Sequence, residues 1–128
     1  MRAAVGLLVS VLMLPAWANG RWQVMSETPA ETISIELSSL ERSANRANFR
    51  VRHILRDGQV DPSSQRPMRE ILIKRRVDCR SRRVATLSRA VFSDNDAMIS
   101  YQAVRPLKAE WQAMTLDDPL FKLVCGPL

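Results

Sequence analysis

The chain has 128 residues, which is the length of one domain. Hydrophobic residues make up 46% and charged residues 25%, a globular composition that excludes a disordered chain and a protein with several membrane spans. Lys and Arg outnumber Asp and Glu by 19 to 13, which gives a formal charge of +6. Because there are one His and two Cys, we expect neither a metal ion nor another cofactor.

The N-terminal segment has the layout of a secretory signal peptide. Arg2 is followed by an uncharged, mostly apolar run of 12 residues, 3–14, which Pro15 ends, and Ala16 and Ala18 fit a cleavage site after residue 18. The alternative, a membrane anchor, needs a run of about 20 apolar residues. We therefore predict a signal peptide over residues 1–18 and one domain over 19–128, with no further membrane span and, without a Cys at the cut, no lipid anchor. The expected location is the periplasm, with the cell surface or the medium as alternatives.

The remaining chain predicts an antiparallel meander of about six short strands. Their segments are 22–25, 33–38, 49–56, 68–79, 84–92 and 98–104, separated by turns and loops rich in polar residues. The third segment is the clearest, because apolar residues and arginines alternate along it. Its apolar side carries Phe49, Val51, His53 and Leu55, and its other side carries Arg50, Arg52 and Arg56, with Ile54 as the exception.

A short helix is predicted near the C-terminus. Asp118 can cap a helix that begins at Pro119, Thr115 offers a competing cap, and Gly126 ends the helix. A helix of about two turns must dock on the sheet to be stable. In an exported protein Cys79 and Cys125 are expected to form a disulfide, which would tether this helix. The alternatives are two buried thiols or a redox-active pair, and the 46 positions between the cysteines disfavour the latter.

Several motifs follow one another in the C-terminal half. Residues 71–79 (ILIKRRVDC) precede a basic turn and the fifth strand, and Trp111 leads into residues 115–118 (TLDD) and the helix with Cys125. This order, over residues 67–126, resembles the surface-adhesin protein E family of Gram-negative bacteria. The resemblance implies an α+β fold, with about six antiparallel strands and one C-terminal helix tethered by the Cys79–Cys125 disulfide. It also implies attachment to host-matrix or plasma proteins and a homodimer.

Few side chains are suited to catalysis. We interpret His53 as a half-buried structural residue rather than a general base or haem ligand, because no acid–base partner is evident beside it. Asp117 and Asp118 are interpreted as helix-capping charges rather than a catalytic pair. The sequence also lacks a phosphate-binding loop, a nucleophile elbow and a set of metal-spaced ligands. We therefore expect a protein that is not an enzyme.

Six basic residues fall within ten positions, from 74 to 83, interrupted by Asp78. A basic patch attracts polyanions, and the alternative is a solvated sheet face. The candidate polyanion-binding residues are Lys74, Arg76, Arg80, Arg82 and Arg83. Nucleic acid is not expected as a partner, because the protein is exported and the segment lacks interleaved aromatic residues for base stacking.

The sequence thus predicts a non-enzymatic exported protein that binds a host-matrix or envelope macromolecule, either a protein or a polyanionic glycan. One alternative is a periplasmic structural component of the envelope that has no extracellular ligand. A third hypothesis is a small enzyme of unknown reaction. External protease accessibility would separate the first two hypotheses, and turnover dependent on His53 would support the third.

Overall fold

The computed structural model describes residues 22–127, so the predicted signal peptide lies outside the described residues. Within residues 22–127 the secondary structure consists of seven strands, a short 3-10 helix and one α-helix. The strands are β1 (Trp22–Glu27), β2 (Glu31–Ser43), β3 (Arg46–Leu55), β4 (Glu70–Asp78), β5 (Arg83–Phe92), β6 (Met98–Ala103) and β7 (Trp111–Ala113). The 3-10 helix is Pro106–Lys108, and the α-helix α1 is Pro119–Cys125.

The strands form one antiparallel sheet in which β1 to β6 are neighbours in chain order. This arrangement confirms the predicted α+β meander. The seventh strand, β7, was not predicted, because three residues are too few to show an alternating pattern. It pairs with residues 83–85 at the beginning of β5, while β6 pairs with residues 88–92 of the same strand.

The two faces of the sheet differ in composition, because directly opposed residues of neighbouring strands point to the same side. On one face, called here the helix face, Ile35, Phe49, Val51 and Val77 are buried in one cluster with Val124 of α1. The opposite face carries the arginines of β3 and their neighbours on β4. We call it the basic face, and its cations on these two strands are Arg46, Arg50, Arg52, Lys74 and Arg76.

The helix α1 docks on the sheet as predicted. The Asp118 side chain accepts a hydrogen bond from the backbone N–H of Leu120 at 2.9 Å, so Asp118 is the cap and the alternative start at Thr115 is not adopted. Val124 is completely buried, and Cys125 forms the predicted disulfide with Cys79. Gly126 ends the helix with φ −67°, and a Cβ at this residue would lie 2.5 Å from the Lys122 carbonyl oxygen.

Candidate functional site

The β4–β5 hairpin places the predicted basic residues together. Lys74 and Arg76 lie two positions apart on β4 and therefore share the basic face. Asp78 lies two positions after Arg76 and therefore points to the same face of β4. Arg83 is directly opposite Asp78, so Arg83 also lies on the basic face. Arg80 and Arg82 lie in the exposed turn between the strands. Arg75, the sixth basic residue of the segment, lies on the helix face instead, because successive side chains along a strand point to opposite faces.

β3 adds two more cations to this surface. Arg50 is directly opposite Lys74, and Arg46 is directly opposite Asp78. The strand pattern placed Arg50 on the arginine side of β3, whereas residue 46 fell in a turn between two predicted strands. The structure extends β3 back to residue 46, and only the strand register reveals that Arg46 joins the row. Arg56 directly follows the far end of β3, and its Nη2 atom lies 2.8 Å from Oε1 of Glu27.

Asp78, the acid within the basic segment, stabilises the hairpin turn. Its Oδ1 atom accepts hydrogen bonds from the backbone N–H groups of Arg80 and Ser81, each at 3.0 Å. The hydrogen bond from Ser81 is the main reason why the pKa of Asp78 lies below its usual value, and the nearby Arg46 charge acts in the same direction. The left-handed backbone of Arg82, with φ 56°, completes the turn. The carboxylate thus organises the turn whose exposed side chains are basic.

Two cations of the surface are held in place by neighbours. Arg50 Nη2 lies 2.7 Å from Oε1 of the buried Glu36, and Arg76 Nε donates to Asn48 Oδ1 at 2.8 Å. The other predicted residues, Lys74, Arg80, Arg82 and Arg83, are exposed. None of these four forms an ion pair with any residue between 22 and 127. The surface therefore combines hydrogen-bonded guanidinium groups with exposed cations that have no ion-pair partner among the described residues.

A large bulge in β2 forms a cleft beside this surface. Four residues of β2, 37–40, stand opposite Phe49 alone, because Glu36 pairs with Arg50 and Glu41 with Asn48. Ser39 Oγ accepts the Arg50 N–H at 2.9 Å and donates to the Glu36 carbonyl oxygen at 2.6 Å, which fixes the bulge. The cleft has a volume of about 450 Å³. Its lining consists of Ser38, Ser39, Glu41, Asn48, Phe49, Arg50 and Lys74.

Two tryptophans lie beside arginines of the basic face. The Arg52 guanidinium carbon is 4.1 Å from the centroid of the Trp22 ring, and that of Arg46 is 6.0 Å from Trp111. Sequence reasoning did not find these pairs, because each joins residues that are distant in the chain. They give the basic face aromatic surface on both flanks.

His53 lies on the helix face, half-buried, as predicted. Its Nδ1 atom is 3.1 Å from Glu31 Oε2, an acidic partner that the sequence did not reveal. Its Nε2 atom is buried and has no hydrogen-bond partner within residues 22–127.

Among residues 22–127, no three His, Cys, Asp or Glu side chains are grouped to hold a metal ion. A separate finding is that none of the described helices has the length and hydrophobicity needed to span a membrane.

Comparisons with known proteins agree with the fold. A model of the family described as surface-adhesin protein E matches residues 22–126. No curated protein matches the sequence. Crystal form II of Haemophilus influenzae protein E is similar with a TM-score of 0.56 and 15% identity, over 81% of this chain and 86% of that one. Protein E from non-typeable Haemophilus influenzae gives a TM-score of 0.54 and 14% identity, over 81% and 72%. The family match begins at residue 22, so it also includes β1 to β3, which precede the residues 67–126 that carried the resemblance in the sequence.

Proposed function

The chain belongs to the surface-adhesin protein E family, and we propose that it is an exported, non-enzymatic protein that binds a polyanionic macromolecule through its basic face. The observation that carries the proposal is the group of exposed cations around the β4–β5 hairpin, which have no ion-pair partners among residues 22–127. A sulfated or carboxylated glycan of the host matrix has the chemistry to neutralise them.

A polymer suits this surface better than a small anion does. Each exposed cation contributes no more than about 1 kcal/mol to an ion pair, because water and salt screen it. Lys74 and Arg76 are separated by about 7 Å along β4, and Arg50 lies across from Lys74 at the strand spacing of about 5 Å. A chain carrying many charges engages several of these cations at once, so weak contacts add up to useful avidity.

Binding of a sulfated glycan such as heparin, measured by calorimetry at increasing salt, tests the proposal. Binding should weaken steeply, because the reach of exposed charges falls from about 10 Å at 0.1 M salt to about 3 Å at 1 M. The triple variant Lys74→Ser, Arg80→Ser, Arg83→Ser should bind at least about tenfold more weakly. These three side chains are exposed, so each change should alter stability by less than about 0.5 kcal/mol.

The matched control is the triple variant Arg66→Ser, Arg69→Ser, Arg105→Ser, which loses the same net charge from exposed positions outside the hairpin. It should retain most of the affinity. If both triple variants lose affinity equally, the net charge alone attracts the glycan and the basic face has no special role. Binding that survives molar salt would instead indicate an apolar contact site, for which Trp22 and Trp111 would be the first candidates.

The final location decides between adhesion and a role inside the envelope. We propose export to the periplasm or the cell surface, consistent with membership in a surface-adhesin family. Digestion of intact cells by an added protease would indicate surface display and favour adhesion to a host macromolecule. Protection until the outer membrane is opened would favour a structural envelope component that uses the same basic face on anionic surfaces.

A homodimer, implied by the family resemblance, is part of the proposal. β6 is at the edge of the sheet, and two of its residues, Met98 and Tyr101, expose 55% and 60% of their surface. An edge strand with exposed apolar side chains can pair with a second copy of itself. Light scattering should show a dimer for the wild type and a monomer for Tyr101→Lys. An unchanged dimer in this variant would exclude β6 as the interface.

A further inference from the structure

A cleft on the helix face is separate from the basic face. It lies between β5 and the segment that connects β6 to β7, and its volume is about 410 Å³. This volume falls in the range of about 300–1,000 Å³ typical of small-molecule sites. The residues that line it are Arg75, Val84, Thr86, Val104, Lys108, Glu110 and Gln112.

Arg75 is an unpaired, partly buried cation in this cleft. It lies on the central strand β4, with Phe49 opposite on β3 and Thr86 opposite on β5. It forms no ion pair with the described residues, and its Nε atom is buried without a hydrogen-bond partner among them. Burial lowers the pKa of Arg75, and the Asp118 charge opposes that shift. A partly desolvated guanidinium with an unused N–H group is costly, and an anion beside it in the cleft would offset part of that cost.

The other lining residues define the kind of anion. The planar guanidinium matches a carboxylate with two parallel hydrogen bonds, and Lys108 places a second positive charge on the wall. Thr86 and Gln112 add a hydroxyl and an amide, while Val84 and Val104 supply apolar surface. Glu110 disfavours highly charged ligands such as phosphate esters, because like charges repel.

We propose that this cleft binds a monocarboxylate carried on a short aliphatic chain, with Arg75 holding the carboxylate and the two valines contacting the chain. The carboxylate can belong to a free acid or to the C-terminus of a peptide. The inference does not rest on the polyanion-binding role of the basic face, because Arg75 and Lys74 point to opposite sides of β4.

NMR titration of the ¹⁵N-labelled protein with hexanoate tests the proposal. Hexanoate should shift the Arg75 Nε–Hε signal and the amide signals of residues 84–86, whereas hexanamide, which has the same shape without the charge, should not. A short peptide ending in valine, compared with its C-amidated form, shows whether a peptide terminus is also accepted. Binding of either carboxylate supports the proposal, and the absence of shifts with both carboxylates overturns it.

Variants separate the role of Arg75 from a general charge effect. Arg75→Gln should weaken hexanoate binding at least about tenfold, because it removes a charged hydrogen-bond donor. Lys74→Gln is the matched control, since it removes one positive charge from the adjacent residue on the other face, and its affinity should stay within about twofold. Equal affinity in Arg75→Gln and the wild type would refute the site. If Arg75→Gln does not fold, the hexanoate–hexanamide comparison on the wild type decides the question.

Discussion

Removing the Cys79–Cys125 disulfide should destabilise the protein strongly. The bridge joins residues 46 positions apart, since Cys79 directly follows β4 and Cys125 is the last residue of α1. Chain-entropy arguments give a loop of this length about 4 kcal/mol of stabilisation, because the bridge restricts the unfolded chain. This is a large share of the 5–15 kcal/mol, roughly, that stabilises a typical domain. The helix α1 has seven residues and cannot persist undocked, so the bridge also retains Val124 in the core.

Urea unfolding of the wild type and of the double variant Cys79→Ser, Cys125→Ser measures this effect. With an m-value of about 2 kcal/mol/M, a loss of about 4 kcal/mol lowers the unfolding midpoint by about 2 M. A reductant should lower the wild-type midpoint to that of the double variant and leave the double variant unchanged, which is the internal control. If the wild type and the double variant have the same unfolding midpoint without reductant, the disulfide does not stabilise the protein.

Three further changes test the packing and the turns. Val124→Ala should cost about 2 kcal/mol in urea unfolding, because Val124 is fully buried between α1 and the sheet, and an unchanged midpoint would exclude tight docking. Gly126→Ala should lower the free energy of unfolding by about 1–3 kcal/mol, because its Cβ would lie 2.5 Å from the Lys122 carbonyl oxygen. An unchanged free energy would show that the backbone at the end of α1 can move to accept the methyl group. Hydrogen bonds from Ser64 lower the pKa of Asp61 below its usual value. The contribution of Asp61 to stability is therefore present above the pKa of the unfolded chain, about pH 4, and is lost as the pH falls through the folded-state pKa. The loss of stability between pH 7 and pH 3 should therefore be smaller in Asp61→Asn, and an equal loss would contradict this assignment.

The fold could be predicted from the sequence where a pattern is local. The alternation around Phe49 and Val51 predicted β3 and its buried side. The order Asp118, Pro119, Gly126 predicted α1, although Thr115 left its start open by about one turn. The disulfide followed from two cysteines in a chain that we predict to be exported. These features depend on residues close in the sequence or on simple chemistry, and the structure confirms them.

Features that depend on strand register could not be predicted. The place of Arg46 beside the basic hairpin, and the Trp22–Arg52 and His53–Glu31 contacts, join residues whose proximity only the paired strands determine. β7 is too short to show a period, and the bulge opposite Phe49 interrupts the alternation of β2. The same limit applies to the cleft at Arg75, because its walls come from β4, β5 and the β6–β7 connection.

Mapping a sulfated oligosaccharide onto the ¹⁵N-labelled protein by NMR tests the proposed binding surface most directly. We expect the largest shifts at Lys74, Arg76 and the turn at residues 79–83, with smaller shifts at Arg46 and Arg50, and all of them should vanish in 1 M salt. The helix face should remain unperturbed. Shifts centred on β1 and α1, or shifts that persist in 1 M salt, would contradict binding of a polyanion through the basic face.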